Sequence, residues 1–236
     1  MTTDRVPVDD LGVLRHVLTT TDALFLDFDG PICAVFSNFP AREVAAQLRG
    51  VLADGGHTGL PDLIAASEDP FEVLEHAATL GAEEIRYTEA ALRAHEVEAV
   101  TAAKPTAGAV ELIRAWNGTG RPLAVVSNNS QAAVSTYLHL HDLAGLVHTV
   151  SARTEPEPSK LKPNPLLLHR ASEAMAVPTV RCTLVGDSLT DLQAAHRARS
   201  RAIGYANKVG KSALFAAEHP SAITTSMTHL SRALLL

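Results

Sequence analysis

The chain has 236 residues, 46% of them hydrophobic and 19% charged, which is enough apolar material for a sizeable packed core and too much for a disordered chain. A formal net charge of −6 and an aromatic content of 4% argue against a broad nucleic-acid surface, which needs clustered positive charge and stacking platforms. No apolar run approaches the ~20 residues of a bilayer-spanning helix, and Met1 to Asp10 carries three aspartates and no apolar leader segment. A cytoplasmic protein that binds a small molecule, with no membrane or nucleic-acid partner, is therefore expected.

Leu11, Leu14, Val17 and Leu18 recur at helical spacing and predict a short amphipathic helix over 10–18. Ala23 to Phe28 follows as a continuous apolar run, the pattern of a strand buried on both faces, and ends in Asp27-Phe28-Asp29-Gly30. Residues 31–104 then read as helical over 42–53, 71–80 and 84–102, joined by glycine and proline connections. Past them, helices are expected over 107–116, 131–140, 165–176 and 189–198. These alternate with strong strands over 122–127 and 182–187 and weaker ones over 147–151, 202–205 and 222–224. Buried strands alternating with helices predict an α/β fold, a doubly wound, mainly parallel sheet with a small α-helical insertion. The expected division is a catalytic core of 1–30 and 105–236, with 31–104 as a helical cap. Within that cap, Phe71, Leu74 and Leu80 read as core, and the glutamate-rich helix 84–102 as a solvated face. Cys33 and Cys182 are the only cysteines; without metal-type Cys/His spacing, two free thiols are expected.

In such a sheet, ligands sit at the carboxyl ends of the strands, and the three strongest strands all end in side chains with chemistry. Alternation places Asp27 and Asp29 on one side of their segment. Two carboxylates there can hold a divalent ion, or one can attack an electrophile while the other serves as an acid; an ordinary polar turn would look the same in isolation. The segment Gly186-Asp187-Ser188-Leu189-Thr190-Asp191 puts Asp187 at a strand tip and Asp191 in the first turn of the next helix. An acidic residue is favourable there in any case, but both carboxylates would stand beside the first pair. Ser127 and Asn128, at the end of another strand, and a lysine in Pro158 to Pro165 supply a hydroxyl, an amide and an ammonium group suited to a phosphoryl group. Of the two lysines, Lys162 precedes proline and is biased to extended backbone, whereas Lys160 reads as a solvated neighbour. His139 and His141 do not share a helix face and make no metal pair. Phe36, Ser37, Asn38 and Arg42 follow the acidic turn closely enough to reach a substrate.

The order Asp27-x-Asp29, Ser127, Lys162-Pro163, Gly186-Asp187-Ser188-x-x-Asp191 resembles the haloacid dehalogenase superfamily, and the resemblance spans nearly the whole chain. The insertion 31–104 resembles that superfamily's C1-type cap, as in its phosphoglycolate phosphatases and β-phosphoglucomutases, and residues 205–224 resemble the closing helix-strand segment of its core. The resemblance implies Asp27 as the nucleophile, phosphorylated in passing, and Asp29 as the acid that protonates the leaving group and then activates water. It implies Ser127, Asn128 and Lys162 as the phosphate-binding set, and Asp27, Asp29, Asp187 and Asp191 as the residues that hold or orient Mg²⁺. Dehalogenases of the superfamily generally lack the acid at Asp29, so Asp29 favours phosphate over halide. The phosphonate-cleaving branch needs a cap lysine, and residues 31–103 contain none. The implied activity is Mg²⁺-dependent hydrolysis of a small phosphorylated metabolite by a monomer or homodimer, with a sugar phosphomutase as the alternative. A receiver-like phospho-accepting regulator shares the residue types but places its acidic pair before the acceptor strand and has no helical lid. Pro31 departs from the family's usual Thr or Val and stiffens the exit toward the cap.

Overall fold

The computed structural model describes residues 6–236; the leader-segment reading of Met1 to Arg5 lies outside the described residues. The chain begins with α1 (Leu11–Thr19) and β1 (Ala23–Leu26), then runs through four helices, α2 (Ala41–Asp54), α3 (Asp62–Ala65), α4 (Pro70–Leu80) and α5 (Ala82–Val100). The alternating part follows: α6 (Ala109–Asn117), β2 (Leu123–Ser130), α7 (Gln131–Leu140), β3 (Thr149–Arg153), α8 (Leu166–Ala174), β4 (Cys182–Gly186), α9 (Leu189–Arg197), β5 (Arg201–Tyr205), α10 (Lys211–Ala216), β6 (Ala222–Thr224) and α11 (Met227–Leu235). The six strands form one sheet in the order β3-β2-β1-β4-β5-β6, and every neighbouring pair is parallel. This is the doubly wound α/β architecture expected from the alternation. Among the described residues no helix is long and apolar enough to cross a membrane.

Helices cover both faces because the strands are apolar on both. In β1 all four residues are buried, and successive side chains leave to opposite sides. Leu24 and Leu26 join the cluster that holds Leu14, Leu18, Leu112 and Trp116. Ala23 and Phe25 join the one that holds Leu167, Leu168 and Leu184. The winding goes outward from β1 through β2 to β3, then returns to β4 on the other side of β1. That reversal opens a crevice at the carboxyl ends of β1, β2 and β4, where doubly wound sheets bind ligands.

Several sequence expectations shift. β2 runs on through Asn128 and Asn129 to Ser130, because Ser130 re-pairs with Arg153 of β3 after a register irregularity. The helix α11, with Ser226 as its N-cap, had no sequence expectation; it packs on α1 and α6 through a stripe of Met227, Leu230 and Ala233. The larger correction concerns α5. Its outer positions are solvated, but Glu89 and Glu96 are 5% and 0% exposed, because α5 packs across α7 and reaches the tip of β2. Phe71 is half-buried: it packs against the apolar cluster that holds Leu74, as expected, and also lines the crevice at the strand tips. Both cysteines are free and buried.

Candidate active site

Asp27 directly follows β1, and its N–H donates to Val185 O at 2.9 Å, which carries the pairing with β4 one step past the strand. Asp29 lies two residues on, where its Oδ1 accepts from Val35 N at 2.9 Å. Between them and Cys33 the chain reverses at Gly30, whose φ of +100° lies in the left-handed region. A Cβ on Gly30 would stand 2.4 Å from Asp187 Cγ, so only glycine lets this turn approach Asp187. Pro31 is buried in the same turn. Thr106 Oγ1 donates to Gly30 O at 2.6 Å and Thr106 N to Ile32 O at 2.8 Å, so the outgoing and returning segments of 31–104 are tied together beside Pro31.

Lys162 is 5% exposed. Its Nζ donates to Asp27 Oδ1 at 2.7 Å, Asp191 Oδ1 at 2.6 Å and Val126 O at 3.0 Å. Three acceptors around one ammonium fix it completely. The segment that carries it is pinned to β2 by Asn128, whose Oδ1 accepts from Lys162 N at 2.8 Å and whose Nδ2 donates to Lys162 O at 3.0 Å. Asn128 thus spends its side-chain amide on placing Lys162. Asp191 is 0% exposed; its Oδ2 accepts from Ser188 N at 3.0 Å and Ser188 Oγ at 2.7 Å, completing a capping box at the start of α9. Gly186 permits this, since a Cβ there would lie 2.4 Å from Asp191 Cβ. Ser127 Oγ donates to Asn129 Oδ1 and accepts from Asn129 N, both at 3.1 Å.

The side of the site away from Lys162 is held by residues that were not anticipated. Asp187 Oδ2 accepts from Asn207 Nδ2 at 2.8 Å and Lys211 Nζ at 2.7 Å. Below the β2 tip, Glu96 of α5 accepts from Asn129 Nδ2 at 3.1 Å, Ser130 N at 2.8 Å and Arg153 Nη2 at 2.8 Å. Arg153 in turn donates to Asn128 O at 2.8 Å and to Glu89 Oε1 at 3.3 Å. A buried ion-pair network therefore connects the helical insertion to the end of β2 that presents Ser127 and Asn128.

Burial pushes the Asp27 carboxyl well above the usual aspartate range; the charges of Asp191 and Asp187 add to this and Lys162 opposes it. Burial works against the Lys162 ammonium, but the charges of Asp191 and Asp27 outweigh it and raise its pKa. Burial also brings Asp29 up to about 6, against the hydrogen bond from Val35. A carboxyl held there can both release and accept a proton near neutrality.

Carboxylate oxygens of Asp27, Asp187 and Asp191 lie within 4.8 Å of one another. An all-oxygen, anionic donor set of this kind fits a hard divalent cation such as Mg²⁺. Asp27 and Asp187 open into a cavity of about 250 Å³ whose opposite wall is Asp69, Phe71, Glu72 and Glu75, at and just before α4, while Asp191 is fully buried behind them. All seven residues singled out from the sequence, Asp27, Asp29, Ser127, Asn128, Lys162, Asp187 and Asp191, come together at the strand tips. Four others do not reach the cavity. Arg42 pairs with Glu43 in solvent, Asn38 donates to Ala102 O, and Phe36 and Ser37 lie away from the lining. Lys160 is held in solvent by Glu155 and Glu157.

Residues 21–199 match the model of the haloacid dehalogenase-like hydrolases. No curated protein matches the chain in sequence. Solved structures share its fold at low identity. A predicted phosphoglycolate phosphatase from Haemophilus somnus 129PT is 19% identical with a TM-score of 0.64, covering 89% of this chain and 96% of its own. A predicted phosphatase from Clostridium acetobutylicum is 15% identical with a TM-score of 0.68, covering 91% and 98%. CbbY from Rhodobacter sphaeroides, in complex with phosphate, is 18% identical with a TM-score of 0.61, covering 92% and 100%.

Proposed function

This chain belongs to the haloacid dehalogenase-like hydrolases, and we propose that it is a Mg²⁺-dependent phosphomonoester hydrolase that works through a phosphorylated Asp27. The observation that carries the reading is the buried Lys162 ammonium, shared between Asp27 and Asp191, with Asp29 two residues away at the same strand tip. The similar structures, those of two predicted phosphatases and of a phosphate complex, support the same reading.

In this proposal Ser127 and Lys162 bind the oxygens of the phosphoryl group, and Asn128 keeps Lys162 in place. An Asp27 carboxylate oxygen attacks phosphorus in line with the ester bond. As that bond breaks, the protonated Asp29 gives its proton to the departing alcohol oxygen. Asp29, now a carboxylate, takes a proton from water, whose oxygen attacks phosphorus; the Asp27–phosphorus bond breaks and inorganic phosphate leaves. Asp27, Asp187 and the Asp29 backbone carbonyl are the proposed Mg²⁺ ligands, with Asp191 orienting the set through Lys162 and Ser188. Mg²⁺, when bound, neutralises charge on the phosphoryl oxygens. Positioning and charge neutralisation supply most of the acceleration such transfers need.

The division into a core of 1–30 and 105–236 and a cap of 31–104 belongs to the same proposal: the cap would shield the phosphoenzyme and shape the leaving-group side. A phosphomutase would use the same aspartates but must grip a second phosphate from the cap. The cap wall over the cavity brings carboxylates instead, which favours the hydrolase. The test is phosphate release from a panel of metabolite phosphates, with and without Mg²⁺. Activity should require the ion, and Asp27→Asn should lower it by at least about 10³-fold, as loss of a covalent nucleophile does. Turnover that survives Asp27→Asn overturns the assignment.

A further inference from the structure

The cavity over Asp27 has an unbalanced wall. On the core side it presents Asp27, Asp29 and Asp187 and one ammonium, Lys162, already shared by Asp27 and Asp191. The facing wall is Asp69, Phe71, Glu72 and Glu75, and among the described residues no Lys, Arg or His lines it. Arg153, whose guanidinium lies 5.7 Å from the Phe71 ring centre, is enclosed by Glu89 and Glu96 and has no charge to lend.

Two of those carboxylates have work within the fold. Asp69 caps α4 by accepting from Phe71 N at 2.8 Å. Glu72 sits in the first turn, where a negative charge is favourable, and accepts from Ser67 Oγ at 2.6 Å. Glu75, one turn further, is solvent-accessible and makes no side-chain hydrogen bond or ion pair among the described residues. Partial burial, with the charges of Asp69 and Glu72 behind it, raises its pKa, so its neighbours crowd negative charge where a cation would relieve it.

Glu75 also stands at a junction. Together with Lys162 it borders a larger cleft of about 810 Å³ between the α4–α5 corner and residues 156–165. A phosphoryl group placed at Asp27 by Ser127 and Lys162 therefore sends its ester oxygen and leaving group past Glu75 toward this cleft. The doubly negative phosphoryl group is matched by Lys162 and the metal cation. Beside the ester oxygen a second anion would meet the carboxylates of the facing wall, and like charges face to face suppress binding. The cleft beyond adds one cation, Arg197, which donates to Pro163 O at 2.9 Å, and one more carboxylate, Glu157. An ammonium group would meet Glu75 and Asp69, with the face of Phe71 available beside them.

We propose that Glu75, supported by Asp69 and Phe71, selects phosphomonoesters whose alcohol half carries an ammonium group. The inference rests on the phosphohydrolase reading and names its substrate class. Its test compares kcat/KM of the full chain in Mg²⁺ on three esters of matched size: 2-aminoethyl phosphate, 2-hydroxyethyl phosphate and carboxymethyl phosphate, with p-nitrophenyl phosphate as a general substrate. The ammonium ester should be preferred to the neutral one by about tenfold or more, and the carboxylate ester should be worst. Glu75→Gln should remove the preference for the ammonium ester, and Glu75→Lys should reverse the order of the two charged esters. Each ratio is taken within one protein, so a smaller folded fraction in a variant cancels out. Wild-type turnover of carboxymethyl phosphate equal to or above that of 2-aminoethyl phosphate overturns the inference, as does an unchanged order in Glu75→Lys. If p-nitrophenyl phosphate is cleaved in an Asp27-dependent way while the three esters show no such order, the inference alone fails. If none of the four esters is cleaved, the phosphohydrolase reading falls with it.

Discussion

Glu96 shows how much of this site rests on one side chain outside the recognisable motifs. It accepts from Asn129, Ser130 and Arg153 at once and is fully buried. Asn129 in turn holds the Ser127 hydroxyl. Removing Glu96 would leave the buried Arg153 guanidinium with only Glu89 at 3.3 Å and Asn128 O and free the donors of Asn129 and Ser130. Breaking a buried pair from one side costs far more than deleting both partners. Glu96→Ala should therefore destabilise the protein by about 3–5 kcal/mol in urea denaturation, and adding Arg153→Met should recover part of the loss. Strictly additive losses would show that the pair is not coupled. A signal for Glu96 was present in the sequence: Ile85, Glu89, Leu92, Glu96, Ala99 and Val100 form one buried stripe at helical spacing. The glutamates interrupt that stripe rather than flank it, and a charged residue on an apolar face needs a buried partner. Which residue would answer it, Arg153 of β3, cannot be read from local pattern.

At the scale of elements, the ends of the chain are joined by a side-chain cluster. Asp9 precedes α1, and its carboxylate accepts from Thr224 Oγ1 at 2.9 Å, Thr225 N at 2.8 Å and Thr225 Oγ1 at 2.6 Å, and contacts His229 Nδ1 at 2.8 Å. This ties α1 to the β6–α11 connection. Burial works against the carboxylate, but the donors from Thr225, His229 and Thr224 outweigh it and hold Asp9 at about 2, below the ordinary aspartate value of 3.8. Because the folded-state pKa is the lower one, the contribution of Asp9 is complete above 3.8 and is lost as pH falls toward 2. Asp9→Ala should cost about 1–2 kcal/mol near neutral pH, the worth of a few partly exposed hydrogen bonds to a charged group. The gap between wild type and variant, followed by denaturant titration, should narrow on going from pH 5 to pH 3. A gap that widens on acidification would contradict this account. The strands and most helices were legible in advance, since short apolar runs and 3.6-residue spacing are local properties; α7 and β6 fall on the expected residues. β2 was read too short because polar Asn128 and Asn129 look like a turn until β3 lies beside them.

Across the whole molecule, the helical insertion is not an independent body. Phe25 and Leu184 of the sheet share a continuous apolar cluster with Leu48, Leu74 and Leu92 from the insertion. On the other face, Ala99, Val100 and Ala103 join Leu26 and Phe28. With Glu96 and Arg153 bonded between them, the two parts should unfold together, so scanning calorimetry should record one cooperative transition. Two well-separated transitions would show that the insertion folds by itself. The sequence alone determined the alternating α/β frame, the helical interruption after β1, and the order of Asp27, Asp29, Ser127, Lys162, Asp187 and Asp191 at the strand tips. Those features are written in neighbours a few residues apart, through strand and helix periodicity and turn chemistry. Only the tertiary structure decided that Asn128 spends its amide on Lys162, that Asn207 and Lys211 hold Asp187, that Glu96 reaches under the tip of β2, and that Glu75 lines the same cavity as Asp27. Each joins segments tens of residues apart, and such partners are chosen only when every helix has settled its rotation against the sheet.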